Sequence, residues 1–256
     1  MPEQAAEKTE EKRRKDYGLY RIIRFFVWLF YPKLRPENTD DLPEEPCVIV
    51  GNHTQMNGPI VAELYGPGKH YTWCAGEMMH WDEVADYAFR DFWSQKPSWT
   101  HPFYRVLAKL ITPLAVVLFN NAHTVPVYHD VRLRSTYRIS MERLEQGASL
   151  IIFPERDEHY NNIVYAFQDR FIDLARFYYK KTGKALQFVP MYIAPTLKRV
   201  LYGKPIRFDP SAPIETERAH ICQYLQKEIT AIARSLPRHI VVPYRNIPKK
   251  YYPYND

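Results

Sequence analysis

Four short runs of β-branched and aromatic residues, separated by helical patterns, constrain the fold of this chain more than any other feature. Each run has the length and composition of a buried strand. Strands separated by helices need crossover connections, which place the strands in parallel. The sequence therefore predicts an α/β domain with a largely parallel central sheet flanked by helices. The four runs are CVIVGN (47–52), HTVPVY (123–128), SLIIFP (149–154) and QFVPMYIAP (187–195).

The intervals between these runs have the periodicity of helices. Ser135 is a suitable helix cap, and the residues after it place Ile139 and Leu144 on one side. Helices are predicted over residues 135–147, 167–183 and 215–235. With 256 residues and 46% hydrophobic content, the chain is long enough for one domain with a sizeable core. We expect a disordered charged tail over residues 1–16, an amphipathic helix over 17–36, the α/β domain over 37–245 and an irregular tail over 246–256.

Polar residues follow three of the four predicted strands. Asn52 and His53 come after the first strand, residues 129–134 after the second and residues 155–159 after the third. Ligands of open α/β sheets bind beyond the carboxyl ends of the strands, so these residues predict one cleft. His53 is the candidate base, because imidazole has a pKa near about 6.5 and can accept a proton from a hydroxyl at neutral pH.

The four runs resemble the motif blocks of the PlsC-like lysophospholipid acyltransferase family in order and approximate spacing. The blocks in this chain are VIVGNH, TVPVYHD, LIIFPE and FVPMYIAP, and the resemblance covers roughly residues 45–210. It implies acyl transfer from a thioester, either acyl-CoA or acyl-carrier protein, to a hydroxyl of a lysophospholipid or glycerol phosphate in phospholipid biosynthesis. No cofactor other than the thioester donor is implied.

The resemblance also implies roles for individual residues. His53 corresponds to the catalytic histidine, which deprotonates the acceptor hydroxyl for attack on the thioester carbonyl. Glu155 corresponds to the glutamate of the third block, which helps to hold the acceptor, and Asn52 is a candidate substrate contact beside the histidine. His129 occupies the end of the second block, where the family usually has an arginine that binds the acceptor phosphate.

The chain departs from the family pattern beside the histidine. Family members have an aspartate five residues after it, which orients the ring and stabilises the imidazolium, whereas this chain has Gly58 preceded by Asn57. Asn57 is the candidate for orienting the ring. An amide supplies no negative charge, and the analogous Asp to Asn change in a serine protease lowers the rate by about 10⁴, although papain-like proteases use an asparagine natively. A carboxylate from elsewhere in the chain is the alternative, and the candidates are Glu77, Asp82 and Asp157.

The third block reads FPERDEH, with Arg156 where the family has a glycine. The guanidinium of Arg156 is a candidate phosphate contact. An ion pair with Asp157 or Glu158 is the equally weighted alternative. Arg132 and Arg134 are further candidates for the phosphate, and solvation at a helix start is the alternative for both.

Charge and aromatic content favour a membrane phospholipid surface as a partner. The formal charge is +6 and the pI about 9.0, which suits anionic head groups. The 20 Tyr and 5 Trp have rings of the kind that gather where apolar and wet surroundings meet. Residues 17–36 combine basic residues with an apolar run too short to span a bilayer, which predicts an interfacial helix; packing on the domain is the alternative. Residues 103–119 are a second candidate, and we expect a peripheral protein on the cytoplasmic face of the membrane.

Other classes of function have weaker support in the sequence. The cysteines lack CxxC spacing, the histidines lack metal-ligand spacing, and no nucleic-acid motif accompanies the basic charge. Two alternatives to the phospholipid acyltransferase stay open. One is a lipid- or acyl-thioester-binding protein on the same scaffold that has lost turnover, and the other is an acyltransferase with a non-phosphate acceptor. A hydrogen-bond partner for the His53 ring would favour an enzyme over a binding protein.

Overall fold

The contacts of the chain divide it into two compact units. The structure is a computed structural model that describes the backbone of residues 2–256 and the side chains of residues 16–256. The larger unit is discontinuous in sequence, because part of the smaller unit is inserted into it. The smaller unit consists of residues 1–31 and 74–131, and the larger unit consists of residues 32–73 and 132–256.

Helices and strands alternate along most of the chain. The strands are β1 (Arg35–Glu37), β2 (Val48–Gly51), β3 (His70–Ala75), β4 (Thr124–Val127), β5 (Ser149–Ile152), β6 (Glu155–His159), β7 (Tyr165–Phe167), β8 (Gln187–Ala194), β9 (Arg199–Tyr202) and β10 (Ile206–Arg207). The α-helices are α1 (Pro2–Phe30), α2 (Asn57–Tyr65), α3 (Val84–Ala88), α4 (His101–Asn121), α5 (Leu133–Glu145), α6 (Asp173–Thr182) and α7 (Ile214–Ser235).

The larger unit is built on a largely parallel sheet, which confirms the predicted fold class. Its strands follow the order β1-β9-β8-β2-β5-β3. β2 pairs in parallel with β5 on one side and with β8 on the other, and β3 pairs in parallel with β5. The antiparallel pairs are β8 with β9 and β8 with the short β10. Val48, Ile49 and Val50 of β2 are fully buried, as expected for a central parallel strand that is covered on both faces.

The helices of the larger unit bury one apolar stripe each. In α7, Ile221, Leu225 and Ile229 recur at four-residue spacing and have no exposed surface. α6 buries Leu174 in the same way and ends before Gly183, whose φ of 73° is the left-handed conformation that favours glycine at a helix end. The helices predicted in these two regions and at α5 are confirmed.

The four predicted strands are also confirmed, as β2, β4, β5 and β8. The antiparallel hairpin of β6 and β7 is absent from the prediction, because the sequence of β6, ERDEH, has no apolar alternation. Helix α6 begins at Asp173 and not at residue 167, since β7 occupies the start of the predicted helix. The hairpin matters for function because its first residue is Glu155.

The smaller unit contains α1, α3, α4 and β4. Helix α1 ends at Phe30, before the predicted boundary at residue 36, because Pro32 disfavours helical backbone in the residue that precedes it. The predicted disordered tail, residues 1–16, lies almost wholly outside the residues whose side chains are described. Among the described residues, one helical stretch is long and apolar enough to cross a membrane by length and composition alone, Ser98–Asn121.

Candidate active site

His53 lies two residues beyond the carboxyl end of β2, at the edge of the sheet where α/β folds bind ligands. The preceding residue, Asn52, is buried and extends the pairing with β8. Its Oδ1 accepts a hydrogen bond from the Ile193 amide at 2.8 Å, and its Nδ2 donates to the Ile193 carbonyl at 3.1 Å. Asn52, a candidate substrate contact from the sequence, therefore holds the end of the strand that carries His53.

The chain after His53 turns through a strained backbone. Thr54 and Gln55 have φ angles of 47° and 56°, in the left-handed region that β-branched residues rarely adopt. Each such residue costs on the order of 1–3 kcal/mol and persists only where neighbouring contacts hold it. The Gly58 amide donates to the His53 carbonyl at 3.0 Å, and the Asn57 amide donates to the Thr54 carbonyl at 3.1 Å. These two hydrogen bonds close the turn at the start of α2.

Gly58 allows the turn to close. A Cβ atom at this position would lie 2.3 Å from the carbonyl oxygen of His53, closer than Cβ atoms approach other heavy atoms. The place where the resemblance implies an aspartate therefore has no room for any side chain in this conformation. The absence of an aspartate at position 58 and the path of the turn are therefore linked, because this turn accepts only glycine at that position.

A buried carboxyl group fixes the backbone of His53. Glu155, the first residue of β6, accepts a hydrogen bond from the His53 amide at 2.6 Å and another from the Tyr165 amide at 2.7 Å. Burial raises the pKa of Glu155 from its usual 4.5 to about 7, and the two amide donors oppose this shift in part. Glu155 and His53 thus meet at the edge of the sheet, through the backbone of His53 and not through its ring.

The imidazole ring of His53 lies among aromatic side chains. Phe153 and Tyr244 both meet it edge to face, with ring centroids 5.5 Å and 5.8 Å away. The Nδ1 atom is buried and has no hydrogen-bond partner among the described residues. Burial lowers the pKa of His53 from 6.5 to about 4. The backbone of Gln55 opposes this shift in part. The ring is therefore neutral at pH 7, and among the described residues no side chain supports it at Nδ1.

The side chains considered as partners of the ring make other contacts. Asn57 donates from Nδ2 to the Thr54 carbonyl at 2.9 Å, so its amide stabilises the turn. Asp157 pairs with Arg245 at 2.9 Å. Glu77 and Asp82 belong to the smaller unit, and neither is a hydrogen-bond partner of Nδ1.

The cationic candidates for a phosphate contact are all at least partly exposed. Arg156 forms an ion pair with Glu158 at 2.6 Å, and both side chains are more than half exposed. Arg132 directly precedes α5 and is partly exposed, and Arg134, in the first turn of that helix, is exposed. His129 is exposed and belongs to the smaller unit. The hydrogen-bonded group at the end of β2 contains Asn52, His53, Asn57 and Glu155.

Two tyrosines near His53 lie outside the sequence prediction. Tyr165 donates its amide to Glu155, and its ring packs against that of Tyr244 with centroids 5.7 Å apart. Tyr165 belongs to the unpredicted hairpin, and Tyr244 lies far along the chain in a segment without regular structure. No local pattern in the sequence points to either residue, although Phe153 is part of the third motif block.

The arrangement places a neutral imidazole next to a buried carboxyl group on the backbone that carries it. An unprotonated imidazole can accept a proton from a hydroxyl, and the aromatic neighbours limit the access of water. Among the described residues, no group of three or more His, Cys, Asp or Glu side chains is placed to hold a metal ion.

Comparison with solved structures gives a distant likeness. No protein-family model and no curated protein matches the chain. Among solved structures, the chain is similar to the crystal structure of the 1-acyl-sn-glycerophosphate acyltransferase PlsC from Thermotoga maritima. The TM-score is 0.46 and the identity 16%, over 86% of this chain and 78% of that chain. A likeness this distant does not bear on the activity of this chain.

Proposed function

We propose that this chain transfers an acyl group from an acyl thioester, acyl-CoA or acyl-carrier protein, to a hydroxyl of a lysophospholipid or glycerol phosphate. The observation that carries the proposal is the contact between Glu155 and His53. These two residues belong to separate motif blocks in the sequence, and the His53 amide nitrogen lies 2.6 Å from Oε1 of Glu155 at the carboxyl edge of a parallel sheet. The carboxyl group holds the backbone of the candidate base in a fixed position, which is what catalysis by a positioned base requires.

In the proposed reaction, the acceptor oxygen attacks the carbonyl carbon of the thioester. The new C–O bond forms, the C–S bond breaks, and the hydroxyl proton passes to the imidazole of His53 and from there to the leaving thiolate. Because burial lowers the pKa of His53 to about 4, the ring is unprotonated and ready to accept the proton at pH 7. The same low pKa makes the imidazolium a stronger acid than usual, which favours transfer of its proton to the thiolate.

A binding protein without turnover is the second candidate, and one observation favours it. Among the described residues, no side chain is a hydrogen-bond partner of the His53 Nδ1 atom, so no carboxylate stabilises the imidazolium from that side. In serine proteases the loss of the negative charge at the corresponding position costs about 10⁴ in rate. Such a protein would hold a lipid or an acyl thioester at the same edge of the sheet.

The nature of the acceptor depends on the cationic residues. Arg156 is paired with Glu158, which satisfies the charge that a phosphate would otherwise meet. An ion pair this exposed contributes little free energy, so a phosphate can compete for Arg156, and an acceptor without a phosphate, such as an amine or another lipid alcohol, is the alternative. Arg132 and Arg134 are the residues that would bind a phosphate if the acceptor carries one.

The experiment is mass spectrometry of lipid products formed by the purified protein on liposomes. The donors are acyl-CoA and acyl-carrier protein, and the acceptors are lysophospholipids, glycerol phosphate and a long-chain amine. His53→Ala is the test variant, and His220→Ala, which removes an exposed histidine of α7, is the matched control. A new acyl product that disappears in His53→Ala and persists in His220→Ala supports the enzyme. Binding of the thioester without any product supports the binding protein.

We propose that this reaction takes place at the cytoplasmic face of a membrane, and the exposed apolar side chains of α4 support the membrane surface in this proposal. One face of α4 packs inside the unit through Ala108, Thr112 and Ala115, which are buried. Another face presents large apolar side chains to the outside at helical spacing. A helix of this kind can lie in the head-group region of a bilayer with the apolar face inserted. The exposed fractions are 68% for Phe103, 59% for Val106, 70% for Leu110 and 45% for Leu114.

A further inference from the structure

Residues 241–253, here called the C-terminal loop, form an excursion whose ends are fixed beside each other. Ile240 and Tyr254 pair in an isolated β-bridge. The Val241 amide donates to the Pro253 carbonyl at 2.9 Å. Compact loops of this length with closed ends are packed by their own side chains and are frequently functional. The base of the C-terminal loop is therefore anchored independently of the contacts made by the residues between its ends.

The C-terminal loop is bound at two points to the strained turn after His53. Nε2 of Gln55 donates to the Arg245 carbonyl at 3.1 Å and to the Tyr252 hydroxyl at 3.0 Å. Arg245 also pairs with Asp157 of β6 at 2.9 Å. Gln55 is one of the two residues in the left-handed region, so these bonds supply support that the turn needs.

Tyr244 brings the C-terminal loop to the ring of His53. The two rings are nearly perpendicular, at 87°, with centroids 5.8 Å apart. Tyr165 packs against the other side of the same tyrosine at 5.7 Å, and Phe153 meets the imidazole at 5.5 Å. The imidazole is therefore flanked by rings from the C-terminal loop and from the residue after β5, and a ring from β7 packs against the loop tyrosine.

We propose that Tyr244 controls access to His53 and that the C-terminal loop holds it in place through Gln55. The functional part rests on the proposed acyl transfer, in which water competes with the acceptor for the thioester. In that side reaction the water oxygen bonds to the acyl carbon, the C–S bond breaks, and a proton passes from water to the thiolate, which releases a free fatty acid and a thiol. Tyr244 is a positioning residue that favours transfer over this hydrolysis.

The first test measures access to His53 without any use of activity. Diethyl pyrocarbonate modifies unprotonated imidazole, and mass spectrometry of the His53 peptide gives the rate of modification. An edge-to-face aromatic pair contributes about 0.5–1.5 kcal/mol. Loss of this contact in Tyr244→Ala should therefore speed the modification of His53 by about two- to tenfold. Tyr244→Phe keeps the ring and should react as the wild type does. The exposed His129 is the internal reference and should react equally in all proteins.

Tyr251→Ala is the matched control, because Tyr251 lies in the same loop, is 62% exposed and packs against Lys250. Its His53 should react at the wild-type rate. Tyr252→Phe removes only the hydroxyl that binds Gln55. His53 should also be modified faster in this variant, which therefore tests the proposal even if Tyr244→Ala does not fold. Equal rates in wild type and in the folded Tyr244 or Tyr252 variant would overturn the proposal, as would equal acceleration by Tyr251→Ala.

The second test measures the ratio of free fatty acid to acylated product. Tyr244→Ala should raise this ratio relative to wild type and to Tyr251→Ala. An unchanged ratio in an active Tyr244→Ala protein overturns the role in partition. If no variant and no wild-type protein turns over any thioester, the proposed acyl transfer fails, and the labelling rates still decide whether Tyr244 controls access.

Discussion

At the level of single residues, position 58 determines what can support His53. Glycine there allows the amide of residue 58 to reach the His53 carbonyl, and the turn that results contains two non-glycine residues with positive φ. An aspartate restored at this position would not restore an orienting carboxylate. The Cβ of an aspartate at position 58 would collide with the backbone of His53, the residue that the carboxylate is meant to support.

Gly58→Asp and Gly58→Ala should therefore both destabilise the protein, by about 1–3 kcal/mol each, as overpacked sites do. The midpoint and slope of urea denaturation give the free energy of unfolding. Gly18→Ala is the control, because a Cβ at Gly18 in α1 meets no atom within 4 Å, and alanine there should be neutral or stabilising. A Gly58→Ala protein as stable as the wild type would show that the turn has another accessible conformation.

The neutral state of His53 gives a second prediction at this level. The folded protein binds the imidazole proton only near pH 4, whereas the unfolded chain binds it near pH 6.5. Between these values the unfolded state holds more protons, so the contribution of His53 to stability falls as the pH is lowered from 6.5 to 4.

His53→Phe removes this titration and keeps a ring of similar shape. The free energy of unfolding of wild type relative to His53→Phe should drop by up to about 3 kcal/mol between pH 6.5 and pH 4. Glu155 acts in the opposite direction, since its raised pKa makes stability fall as the pH rises from 4.5 to 7, and the comparison cancels its contribution. A difference that does not change with pH would mean that the folded ring titrates normally.

At the level of elements, the end of β2 is held from both sides. Asn52 fastens it to β8 through the Ile193 backbone, and Glu155 fastens the next residue to the start of β6. Both side chains replace backbone hydrogen bonds that the sheet can no longer provide beyond Gly51. The polar residues at the strand ends therefore serve first to shape the edge that carries His53.

Glu155→Ala should leave the His53 and Tyr165 amides without a partner. Each buried unpaired donor costs about 1–3 kcal/mol, so the loss of stability should reach about 2–6 kcal/mol at pH 7. Urea denaturation measures the loss, and amide hydrogen exchange at the two residues should accelerate. Glu158→Ala, on the exposed part of the same hairpin, should change stability by no more than about 0.5 kcal/mol. Equal effects of the two changes would contradict this role of Glu155.

At the level of the whole molecule, the net charge of +6 and the exposed apolar face of α4 favour the same partner. Basic charge draws a protein toward anionic head groups, and an apolar helix face then gains by insertion. Neither property alone distinguishes a membrane from other anionic or apolar surfaces. Their presence in one chain supports the peripheral docking proposed above.

Leu110→Glu should weaken binding to anionic vesicles about tenfold to a hundredfold, which corresponds to the loss of one buried leucine. Sedimentation with vesicles of phosphatidylglycerol and phosphatidylcholine measures the affinity. Val131→Glu, a change of an apolar residue that is 91% exposed and outside α4, is the control for the added charge. Affinity should also fall with salt for all proteins. Equal binding by the two variants would remove α4 from the docking surface.

The sequence by itself determined four strands of this protein, β2, β4, β5 and β8, but not β1, β3, β9 or β10. Strands such as β2 and β8 are fully apolar where they cross the core, and the helices between them have one apolar side, so local composition specifies both the elements and their parallel arrangement. It also identified His53 and Glu155 as residues at strand ends. The division into two units and the hairpin of β6 were not determined in this way, because neither depends on a local period.

The tertiary structure decided how His53 is supported. Whether Asn57 faces a ring or a carbonyl depends on the φ angles of Thr54 and Gln55, which local sequence does not fix. The packing of Tyr244 against the His53 ring, and of Tyr165 against Tyr244, depends on contacts between segments far apart in the chain. Burial, and with it the pKa of His53, exists only once those segments have come together, and for that reason the sequence could indicate a base but not its protonation or its partners.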